Sequence, residues 1–143
     1  VRECLDAAPQ FTGVRKLPAG AIDPSALSAD ERAALEHAVG ESTGGLVATS
    51  GGPKESGGVI SEAPVRLTEL FFFDDAQAAK RAEADAKRAV GSPSKAVLNG
   101  VRAVGPVMVA HLTYGIGDAP GGVPLNASEL APVESCLRKT GYL

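Results

Sequence analysis

Tryptophan is absent from this 143-residue chain, methionine occurs once, and the aromatic rings are limited to four Phe and two Tyr. A core built without large side chains must be assembled from small aliphatic ones, which bury less apolar area each. Any covalent brace therefore gains weight. Positive charge is also short: 14 Lys and Arg stand against 17 Asp and Glu, with a pI near 5.4. Phosphate recognition needs clustered cations, and no basic stripe or aromatic–basic interleaving is present, which argues against a nucleic-acid partner. No apolar run approaches the roughly 20 residues that cross a bilayer, so no transmembrane segment is expected. The stretch "GGPKESGG" has glycine and lysine without the spacing of a phosphate-binding loop. The two histidines, His37 and His111, share no H-x-x-x-H or H-x-H spacing, and no G-x-S-x-G elbow occurs. Neither a metal nor a cofactor is expected.

What is present begins with ordinary globular proportions, 44% apolar and 22% charged, which suit a single domain over 1–143. Its only cysteines, Cys4 and Cys136, lie at opposite ends in matching surroundings, "VRECL" and "VESCL". Val1, Cys4, Leu5 and Ala8 recur at helical spacing, as do Val133, Cys136, Leu137 and Thr140. Each set forms one stripe, so each sulfur is expected to face inward from a terminal helix. A Cys4–Cys136 disulfide between those helices is the reading taken here; two separate buried thiols are the alternative. The bridge would favour an oxidising, extracytoplasmic compartment, and the absence of a C-x-x-C pair argues against redox catalysis. The start at Val1 fits an exported protein shown without its signal, or a fragment of a longer one. Arg2 and Glu3 before Cys4 speak against lipid attachment at that cysteine.

Along the chain, "FTGVRKLP" is predicted as an edge strand ended by Pro18. Asp23-Pro24 marks a helix start, and Ser28 with Glu31 forms a capping box for a helix ending at Gly40. His37 in its last turn fits a role beside the helix dipole. Residues 40–58 hold seven glycines around one candidate strand, "LVATS", and are expected to form a surface loop or hairpin tip. Val65–Phe73 predicts a strand, Asp74 or Asp75 a helix cap, and Ala76–Val90 a helix with Ala79, Ala82, Ala86 and Ala89 on one stripe. "GSPS" breaks the chain before two antiparallel strands, "KAVLNGVRAVG" and "VMVAHLTY". The second is apolar enough to be covered on both faces. A Gly- and Pro-rich loop follows at 115–124. The last helix starts near Asn126, with Glu129 completing a capping box, and Pro132 either kinks it or marks its first turn. These elements define an α+β fold: a small, mostly antiparallel sheet with a βαββ core, packed by an Ala-rich helix and by disulfide-linked terminal helices.

Candidate chemistry centres on His111, which interrupts an apolar strand. It would act as a general base only with companions such as Glu69, Asp75 or Tyr114, and a structural histidine satisfied by a hydrogen bond is the simpler expectation. Carboxylates at Glu69, Asp74 and Asp75 would suit a cation, but capping already accounts for an aspartate there. Phe71, Phe72 and Phe73 are expected to serve the core.

The run "FFFDDAQAAKRA", then "VRAVGPVMVAHL", then a final helix with "ESCLRK" resembles small exported proteins of high-GC actinobacteria, in which Cys-Leu helices flank a βαββ core. That resemblance implies a fold and a location, and supplies no catalytic residues. The expected function is therefore a non-catalytic binding domain for a protein, a cell-envelope component or a small ligand. A small extracytoplasmic hydrolase using His111 with Glu69 or Asp75, and a structural subunit assembling through strand edges, are the alternatives.

Overall fold

A computed structural model describes residues 1–23, 29–89, 100–114 and 127–143. Its elements are α1 (Arg2–Asp6), β1 (Gly13–Leu17), α2 (Ala29–Ala38), β2 (Gly44–Ser56), β3 (Val59–Phe72), α3 (Ala76–Ala89), β4 (Arg102–Val104), β5 (Val107–Tyr114) and α4 (Ala127–Lys139). The five strands form one sheet in the order β1-β2-β3-β5-β4. Every neighbouring pair is antiparallel. The fold is α+β, with the βαββ core supplied by β3, α3, β4 and β5.

Two helical layers sandwich the sheet. On one face, Leu35 and Ala38 of α2, Val39 just beyond it, and Ala78, Ala79, Ala82 and Ala86 of α3 pack against Val47, Leu67, Phe71, Met108 and Ala110. The alanine stripe gives α3 a smooth surface, so the sheet side chains fill the space between helix and strands. On the other face, Leu5 of α1 and Leu130, Val133, Cys136 and Leu137 of α4 cover Val14, Leu46, Ala48, Leu70, Val107 and Val109. Cys4 and Cys136 are bonded across these two helices with their Cα atoms 5.7 Å apart. The bridge closes almost the whole chain, and loop-entropy scaling gives it up to about 5 kcal/mol of stabilisation.

β5 is buried at each position from Val107 to His111, as its unbroken apolar run predicts. Phe71 and Phe73 join the core, while Phe72 points to the other face and meets Tyr142 at 5.2 Å between ring centres. Pro132 lies inside α4, so the helix begins before it. The Ser28–Glu31 and Asn126–Glu129 capping boxes, the Asp23-Pro24 helix start and the "GSPS" break lie wholly or partly outside the described residues.

The largest departure from expectation is at 40–58. A hairpin tip is present as one of the two expected forms, but its strands are longer than the single "LVATS" strand: β2 continues through "GGPKES" to Ser56 and β3 begins at Val59. Gly57 (φ 59°) and Gly58 (φ 81°) form the two-residue turn between them. Left-handed φ at both central positions defines a type I′ turn, which glycine alone adopts without strain and whose twist matches the strands it joins. The turn chemistry outweighs the weak strand propensity of its glycines.

Candidate functional site

Glu69 and His111 are the two buried ionisable side chains at the centre of the sheet, each 0% exposed. Register decides whether they can cooperate. Thr68 pairs with His111 and Glu69 with Ala110, so His111 shares a face with Thr68, and Glu69 points to the opposite one. The pleat of β3 thus divides the His111–Glu69 set into separate layers.

On the α1–α4 face, His111 Nδ1 lies 3.2 Å from the Thr68 hydroxyl. The two residues are directly opposite on adjacent strands, and a hydroxyl can serve either tautomer of the ring. Asp75 is committed elsewhere: its Oδ1 accepts the Ala78 amide hydrogen at 2.7 Å and caps α3. Of the two aspartates expected as caps, Asp75 is therefore the one used. The Tyr114 side chain lies outside the described residues.

On the α2–α3 face, Glu69 sits between Val47 of β2 and Ala110 of β5. Its Oε1 accepts the Asp23 amide hydrogen at 2.6 Å. The Asp23 carboxylate, itself buried, pairs with the guanidinium of Arg15, an exposed residue of edge strand β1. Oε2 of Glu69 has no hydrogen-bond partner among the described residues. Burial pushes the Glu69 carboxyl up to about 8, against the opposing pull of Arg15. A neutral acid at mid-range pH is the consequence. Period-two alternation contained the signal, since Leu67, Glu69 and Phe71 share a face. The sequence offers Asp23 only as a helix start, and nothing local ties it to an edge-strand arginine.

Glu83 does more than its helical spacing to Lys87 predicts. It accepts from Lys87 at 2.7 Å and, through its other oxygen, from the Ala103 amide at 2.6 Å, fastening α3 to β4. Partial burial raises its pKa, but those hydrogen bonds and the charges of Lys87 and Arg102 together outweigh that and hold the carboxyl below its usual range. His37 is exposed at the end of α2. Among the described residues, no group of three or more His, Cys, Asp or Glu is placed to hold a metal ion, and no helix is long and apolar enough to cross a membrane.

A second feature lies on the surface. β1 pairs with β2 only as far as Thr49, while the β2–β3 ladder continues from Gly52–Ala63 to Ser56–Val59. The hairpin therefore projects past β1 as a ribbon. Val59 and Ile60 beside its turn are each 68% exposed, the most exposed large apolar side chains among the described residues. The two-residue turn makes Ser56–Val59 a hydrogen-bonded pair, so alternation directs the backbone of Pro53 away from β3. The imino nitrogen, which has no hydrogen to donate, thus lies on the outer edge of the ribbon.

No family model matches the chain, nor does any curated protein or solved structure. Functional inference rests on the residues themselves.

Proposed function

We propose that this chain is an extracytoplasmic, non-catalytic interaction domain that meets a protein partner with the tip of its β2–β3 hairpin. The carrying observation is the exposure of Val59 and Ile60 beside the turn. Adjacent strand residues point to opposite sides, so each face of the tip carries one exposed apolar side chain. That arrangement suits insertion into a groove of another protein better than docking on a flat surface. The Cys4–Cys136 bridge supports an oxidising compartment, where such bonds persist. The resemblance to exported actinobacterial proteins agrees with that location.

The alternatives draw less support. Assembly through strand edges along β2 meets Pro53, which offers no donor to an added strand. Hydrolysis through His111 and Glu69 would need groups that the pleat holds apart. A photoreactive residue replacing Ile60, introduced in cells that make the protein, should give a discrete protein adduct in the extracytoplasmic fraction. The same residue replacing Arg88, on the exposed surface of α3, should not give it. An identical pattern from both positions, no adduct from position 60, or recovery only from the cytoplasm would contradict the proposal.

A further inference from the structure

We propose that the Glu69 carboxyl is a proton-controlled latch: neutral, it holds the connection Pro18–Asp23 against the sheet, and loss of its proton frees that connection and loosens α2 behind it. The geometry gives the latch a single catch, the Asp23 amide hydrogen donated to Oε1 at 2.6 Å. This bond joins the centre of β3 to the end of a segment that leads into α2.

The surroundings of Glu69 make its proton matter. Among the described residues, Arg15 of β1 is the charged group that acts on Glu69, and it pairs with the carboxylate of Asp23, whose amide makes the catch. Val47 and Ala110, its neighbours on β2 and β5, carry no charge. The described ion pairs of the covering helices, Arg32–Glu36 on α2 with Lys87–Glu83 and Arg88–Asp85 on α3, are formed within each helix. Losing the proton places a negative charge on a fully buried carboxyl in an apolar layer, with one oxygen unbonded among the described residues. Opening the connection to water relieves it. The upward displacement of the Glu69 pKa to about 8 agrees in direction.

The sign follows from linkage. An opened carboxyl ionises near its ordinary value of 4.5, and the latched one near 8. Between those values the open form holds fewer protons, so opening becomes about tenfold easier per pH unit and levels off above the upper value. Site-resolved hydrogen exchange on the intact protein, corrected for intrinsic base catalysis, reads this directly at the Asp23 amide. Protection should fall about tenfold per unit between roughly pH 5 and pH 8. In Glu69→Gln, which keeps an acceptor oxygen and has no such proton to lose, protection should be flat. A carbon-13 titration of the Glu69 carboxyl in the wild type should show a midpoint well above the ordinary carboxylate range, and decides the matter alone if the variant does not fold. Ionisation in the ordinary range, or Asp23 protection that is flat in the wild type, would overturn the latch.

Discussion

The two faces of the sheet are made from alternate residues of the same strands, yet they are held in different ways. Thr68 and Glu69 are neighbours on β3. One turns toward α1 and α4 and meets His111, and the other turns toward α2 and α3 and meets the Asp23 amide. The first layer is fastened covalently and contains a polar pair that can be neutral and hydrogen-bonded. The second lacks a covalent brace, relies on close-packed alanines, and contains a carboxyl that is comfortable only while protonated. One face is locked; the other responds to its proton.

The contrast can be broken most forcefully at the disulfide. Replacing Cys4 and Cys136 together with Ala should cost roughly 3–5 kcal/mol by denaturant unfolding, toward the upper end because the closed loop is nearly the whole chain. Local exchange in α1 and α4 should rise before that in α3. The next effect is conditional on pH. Because the folded value of Glu69 is raised, its contribution turns unfavourable as pH climbs from 4.5 toward 8, at about 1.4 kcal/mol per unit. Glu69→Gln should remove that slope, so the variant gains on the wild type at pH 8 relative to pH 5 by a few kcal/mol in thermal or denaturant unfolding. His111→Gln retains hydrogen-bonding ability on the other face and should lose about 1–2 kcal/mol. Unchanged stability with loss of a measured hydrolytic activity would instead favour the enzymatic alternative. Smallest is Asp75→Ala, which removes the α3 cap and should cost about 1 kcal/mol in urea unfolding, whether or not divalent cations are present.

Much of this arrangement was legible in the chain. Helical spacing around Cys4 and Cys136 oriented both sulfurs correctly, and the alanine stripe of α3 gave its packing face. The apolar run of β5 announced burial on both sides. The hairpin was harder to read because "GGPKES" has little strand propensity; the pairing that extends β2 is a property of the turn and of β3, not of those residues alone. Candidate chemistry was legible as residues and not as a constellation. Glu69 and His111 stand out as polar groups in apolar strands, but which face each occupies depends on the register between β3 and β5. Arg15 and Asp23 reach Glu69 only after the sheet has formed, and no spacing in the sequence encodes that meeting.

Exchange measured over both faces in one experiment tests the division most directly. From pH 5 to pH 8, after correction for intrinsic rates, protection in 18–23 and 29–39 should fall progressively while protection in 1–8 and 130–139 holds. A parallel fall on both faces, or none on either, would contradict the account of one locked face and one latched by a proton.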